Sequence, residues 1–154
     1  MTRTVQQLFD LKGKTALVTG GSRGLGLQMA HALGEAGARI MLSSRKAGEL
    51  EVAVADLQAA GIDARWIAAD CAKEAEIHRL ADETLQRMGD VDILVNNDGT
   101  AWGAPAEDHP IEAWAKMMNL KIRCFVILSQ VIAQKIMMPV IPRCRAEDNR
   151  HEGP

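Results

Sequence analysis

The stretch Thr15-Ala-Leu-Val-Thr19-Gly20-Gly21-Ser22-Arg23-Gly24-Leu25-Gly26 decides the fold. A short apolar run passes into a glycine-dense turn and then into a helix-period pattern over residues 25–36, closed by Gly37. The run reads as a buried strand, and the glycines let the backbone turn sharply and come close to an anion. A helix starting directly after such a turn offers it free N–H groups and the positive end of its dipole. Strand, glycine turn and helix in that order suit the diphosphate of a dinucleotide; a tight turn with no ligand is the plainer alternative.

The same alternation continues on the C-terminal side. Residues 39–43 form a second apolar run, and residues 47–60 carry Leu50, Val54 and Leu57 on one helical face before Gly61. Residues 63–69 read as a third strand. Ile77, Leu80, Ala81, Thr84, Leu85 and Met88 then follow helical spacing up to Gly89, and residues 92–96 read as a fourth strand. Strands alternating with helices imply an α/β fold, a Rossmann-like three-layer sandwich with a parallel sheet. Right-handed crossovers from a central first strand give the order 3-2-1-4, with the ligand crevice where the order reverses. A loop with Pro105 and Pro110 leads to one long helix over residues 111–138, apolar around nearly its whole circumference from Met117 on. Two readings of that helix stay open: a central core helix, or one whose outer face meets a partner chain in a homo- or hetero-oligomer. Residues 139–154 hold three of the five prolines and no periodicity, so they read as an irregular tail to a dinucleotide-binding domain over residues 1–138.

Composition narrows the function. With 154 residues, 47% of them hydrophobic, the chain can build one core. Eighteen basic against twenty acidic residues leave a net charge of −2, which gives no bulk field for nucleic acid or anionic lipid. The N-terminal stretch lacks the apolar core of a signal peptide, and residues 124–138 are too short and too interrupted to span a bilayer, so a cytoplasmic protein without a membrane anchor is expected. Cys71, Cys124 and Cys144 are far apart in sequence with no CxxC pair, and read as reduced thiols with no metal site. There is no tyrosine.

The second strand bears on the choice of nicotinamide cofactor. A site for NAD usually carries an acidic residue about 20 positions past the glycine turn. Here the strand runs into Ser43-Ser44-Arg45, and no carboxylate follows before Glu49. Arg45 can pair with a ribose 2′-phosphate and Arg23 can reach it from the glycine turn, which favours NADP over NAD; two solvated surface arginines are the alternative.

The spacing TGxxxGxG over residues 19–26 resembles the nucleotide-binding turn of the short-chain dehydrogenase/reductase family. Asn96-Asn97-Asp98-Gly99 is similar to the family's NNAG motif, and Trp114-Ala-Lys-Met-Met-Asn119 to the helix bearing its structural-catalytic asparagine. The opening residues 9–26 look most like bacterial members near gluconate 5-dehydrogenase. The resemblance covers residues 8–129 and implies a cofactor site of Gly20, Ser22, Arg23, Gly24, Leu25, Gly26, Ser44, Arg45, Asp70, Cys71, Asn97 and Gly99, with Asn119 as the catalytic carry-over. Asp70 and Cys71 stand where the family receives the adenine ring, although Asp70 could instead cap the next helix. For Asn119 a surface or packing role is the alternative.

Family members transfer hydride between NADP(H) or NAD(H) and an alcohol or ketone, using a serine and a YxxxK pair. Those three groups are expected beyond residue 154, which would leave the sheet incomplete at one edge and the chain inactive alone. Asp98 replaces the family's alanine, and Lys121 and Cys124 stand where asparagine and glycine are common. A non-catalytic nucleotide-binding or interaction subunit paired with a full-length relative, or a truncated or frameshifted product, are the alternative readings.

Overall fold

The computed structural model describes residues 4–99, 105, 108 and 110–137. Four parallel strands, β1 (Thr15–Thr19), β2 (Arg39–Ser44), β3 (Ala64–Ala68) and β4 (Ile93–Val95), lie in the order β3-β2-β1-β4. The helices are α1 (Val5–Leu8), α2 (Gly24–Glu35), α3 (Ala47–Ala59), α4 (Glu74–Met88), α5 (Ile111–Met118) and α6 (Cys124–Met137). The order and the parallel pairing are those expected from sequence, and strand ends differ from expectation by a residue or so.

Alternation along the strands builds the three layers. Leu17, Met41 and Ile67 point to one face, where α4 and α6 cover them with Ile77, Leu80, Leu128 and Val131. Ala16, Val18, Ile40 and Leu42 point to the other, under Ala30 of α2 and Leu50, Val54 and Leu57 of α3. Strand β1 is buried at every position, as a central strand with helices on both faces must be. Polar clamps fix the N-terminal end of the sheet: Asp92 accepts from Lys14 Nζ at 2.7 Å and from the Thr15 N–H at 2.9 Å, and Arg39 donates to Thr15 Oγ1 and the Met88 carbonyl, each at 2.7 Å. The C-terminal end is thereby left to the loops that carry the site.

The long final helix departs from expectation in its continuity. It is not one α-helix, because a π-helical turn over Asn119–Arg123 separates α5 from α6. Among the described residues one side of it is buried. Cys124, Leu128, Val131 and Ile132 pack inward, while Ile122, Phe125 and Val126 are 41–51% exposed and Trp114 is 57% exposed. Among the described residues that inward stripe packs on α4 and the sheet. Strand β4 pairs only with β1 among the described residues, and a groove of about 650 Å³ runs along it between Asp92, Leu94, Phe125 and Ile132. The tail expected over residues 139–154 lies outside the described residues, as does Cys144.

Candidate nucleotide site

The site lies at the C-terminal ends of β1, β2 and β4. Strand β1 stops at Thr19, whose hydroxyl donates to the Val95 carbonyl at 3.3 Å and accepts from the Asn97 and Asp98 N–H groups at 3.0 and 3.2 Å. That single hydroxyl ties the glycine turn to the loop after β4. Asn97 adds a second tie, its Nδ2 donating to the Gly20 carbonyl at 3.1 Å. Gly26, in the first turn of α2, completes the close approach: a Cβ there would lie 2.3 Å from the Gly20 oxygen and 2.5 Å from Asn97 Nδ2. At Gly24, φ is +58°, a conformation that side-chain-bearing residues seldom adopt. The N-cap of α2, Arg23, makes no side-chain capping bond, so the N–H groups of that turn remain available to an anion.

Gly20, Ser22, Arg23, Gly24, Ser44, Arg45, Asn97 and Gly99 line one cavity of about 320 Å³, so eight of the residues read from sequence are brought together. Leu25 sits in the same helical turn with its side chain 72% exposed. Asp70 follows β3, where its Oδ1 accepts the Ala72 N–H at 3.1 Å, so this carboxylate holds the loop backbone ahead of α4. The Cys71 side chain is turned into the core and only 3% exposed; any contact with a cleft ligand would have to come from its backbone. Asn119 opens the π-helical turn, which also carries Lys121. Lys121 lines a second cavity of about 300 Å³ with Thr19, Asn96, Asp98, Cys124 and Phe125, and this cavity shares the loop over residues 97–99 with the first.

Two features were missed in sequence. Glu49, on the first turn of α3, reaches into the first cavity, accepting from Ser22 Oγ at 3.2 Å and pairing with Lys46 Nζ at 2.7 Å. The Lys46 ammonium, more than Ser22, holds the Glu49 carboxyl below its ordinary range. The arginines therefore share their cavity with an anion. The second feature brings together cysteines that are far apart in sequence. Cys71, Cys124 and Asp98 converge, with Sγ, Sγ and a carboxylate oxygen all within 4.8 Å of one another. The separations of 53 and 27 positions along the chain gave no signal, because the meeting is made by the ends of β3 and β4 and the start of α6.

Burial pushes the Asp98 carboxyl above its ordinary value, against smaller opposing effects of the Cys71 thiol and Arg45, and among the described residues its Oδ2 is buried with no hydrogen-bond partner. The Cys71 thiol is raised by its hydrogen bond with Cys124, by burial and by Asp98, while the same hydrogen bond lowers Cys124. A shared proton between adjacent sulfurs has that effect, since the acceptor gains thiolate character at the expense of the donor.

Residues 14–141 match the family model of the short chain dehydrogenases. The chain belongs to that family. Among curated relatives, this short chain dehydrogenase is 39% identical over 142 residues to a rhamnolipids biosynthesis 3-oxoacyl-[acyl-carrier-protein] reductase of Pseudomonas aeruginosa, a match covering 92% of this chain and 53% of the relative. The gluconate 5-dehydrogenase of Burkholderia cenocepacia, solved with NADP and tartrate, superposes with a TM-score of 0.81 at 30% identity, covering 88% of this chain and 53% of that one. A Pseudomonas aeruginosa RhlG/NADP active-site complex gives a TM-score of 0.76 at 42% identity, covering 80% and 48%. The chain spans about half the length of the relatives it matches. Among the described residues no helix is long and apolar enough to cross a membrane.

Proposed function

We propose that this short chain dehydrogenase uses residues 1–138 as a dinucleotide-binding domain that takes NADP(H) in preference to NAD(H). The observation that carries the reading is the convergence of Arg23 and Arg45, with Ser22 and Ser44, in one cavity beside the uncapped start of α2. The diphosphate would sit against the N–H groups of the turn, where Gly26 leaves the room a side chain would fill. The two guanidiniums would hold a 2′-phosphate from either side. Asn97 and Gly99 would form the wall that meets the adenosine, with Asp70 and the Cys71 backbone at its far end. Bound nicotinamide would supply hydride chemistry at its C4 atom.

The protein's own part is to bind, orient and move a proton, and residues 1–154 supply only the first two. Asn119 is the residue assigned to the catalytic end. A tyrosine acid is absent from these residues, and proton donation by a positioned acid is worth about 10²–10⁴-fold. The 154-residue chain is therefore expected to bind nucleotide without reducing ketones at an enzyme-like rate. Calorimetric titration with NADPH and NADH tests the binding. Preference for NADPH that disappears in Arg45→Asp supports the reading, and equal affinities or a preference for NADH overturn it.

A second reading rests on the exposed face of α5 and α6. Trp114, Ile122, Phe125 and Val126 would pack against a second copy or a full-length relative, making the chain a nucleotide-binding partner subunit. Size-exclusion of the chain with and without such a relative decides it, a monomer in both cases ruling it out.

A further inference from the structure

We propose that Cys71, Asp98 and Cys124 form a binding site for a thiophilic divalent cation of the zinc class, at the floor of the nucleotide cleft, with which it shares Asp98. The three donors come from three rigid places. Cys71 follows β3, Asp98 follows β4 and is pinned through its N–H to Thr19 Oγ1 at 3.2 Å, and Cys124 is the first residue of α6. Their ligand atoms already lie within 4.8 Å of one another. A tetrahedral ion with Zn–S bonds of about 2.3 Å and Zn–O bonds of about 2.0–2.2 Å needs its ligand atoms roughly 3.5–3.8 Å apart, so closure asks for side-chain movements of about an ångström or less.

The chemistry of the donor set favours this use. Among the described residues Asp98 Oδ2 is buried with no hydrogen-bond partner, and the side chains that reach this carboxyl group include two free thiols, each 3% exposed. An isolated carboxylate is costly to hold in such a place, and a dication bound by it and by two sulfurs removes that cost. Thiolate sulfur selects zinc-like ions over magnesium or calcium, which take oxygen ligands. Binding forms two metal–sulfur bonds and one metal–oxygen bond, and the thiol protons are released to solvent. Asp98 and Cys124 also line the cavity of about 300 Å³ that holds Lys121, so the ion has an entry path and a fourth position that a water or a small anion fills.

The test is titration of the fully reduced, chelator-stripped chain with cobalt(II), followed by displacement with zinc(II). One equivalent of cobalt should produce a thiolate-to-metal charge-transfer band and the intense visible bands of a tetrahedral site, both bleached by zinc. Cys71→Ser and Cys124→Ser should each abolish the two-sulfur spectrum, and Asp98→Asn should weaken binding by about tenfold or more, since even outer partners of ligands cost about 10–100-fold. Zinc-edge X-ray absorption of the unmutated chain needs no variant to fold and should show two sulfur neighbours near about 2.3 Å. Absence of the charge-transfer band, its survival at undiminished intensity in both cysteine variants, or a zinc shell of nitrogen and oxygen alone would each overturn the proposal.

Discussion

Asp98→Ala should stabilise the metal-free protein, and by an amount that depends on pH in a fixed direction. The carboxylate has one oxygen buried without a partner among the described residues, and burial raises its pKa above the ordinary value of 3.8. Below 3.8 the group is protonated in both folded and unfolded chains and costs nothing through ionisation. Above that value the unfolded chain releases its proton first, so the folded state binds more protons and stability falls as pH rises. Once pH passes the raised folded value the penalty is complete. A buried unsatisfied group costs about 1–3 kcal/mol. Truncating this side chain to a methyl group leaves little void, since Asp98 borders an open cavity. The variant should therefore gain about 1–3 kcal/mol at neutral pH, equivalent to roughly 2–4 °C in Tm per kcal/mol for a chain of this size. Urea unfolding followed by circular dichroism, in reductant and chelator across the acid-to-neutral range, measures it. A gain that does not grow with pH, or a loss of stability at neutral pH, would refute the reasoning.

Gly26→Ala should abolish nucleotide binding while leaving the sheet folded, because its Cβ would meet the Gly20 backbone oxygen at 2.3 Å and must push α2 away from the turn; calorimetry beside a far-ultraviolet spectrum separates the two effects. Glu49→Gln should strengthen NADPH binding by less than about tenfold at low salt, releasing Ser22 and Lys46 toward the 2′-phosphate, and the gain should fade as salt rises. Leu17→Ala, at a fully buried position of the central strand, should cost about 2–5 kcal/mol in chemical denaturation, and a cost under about 1 kcal/mol would show that the core can collapse around it.

Local patterns in the sequence were sufficient for the architecture. The alternation of apolar runs with helical periodicity, punctuated by Gly37, Gly61 and Gly89, determines four strands and their helices, and all three glycines take positive φ at the ends of those helices. Chain chirality then leaves the order 3-2-1-4. The glycine turn was legible for the same reason: its conformational requirement and the helix that follows are contiguous, and the family membership is carried by those residues. The apolar circumference of residues 117–138 did not say which stripe packs inward, because hydrophobicity says what a residue can bury and not what lies beside it. Only the tertiary structure decided which stripe of α6 packs inward, that a π-helical turn interrupts the helix, and that Glu49 enters the cavity of the arginines. It also decided that Cys71, Asp98 and Cys124 meet, a contact between three chain segments whose spacing has no period and which the closing of the sheet alone brings together.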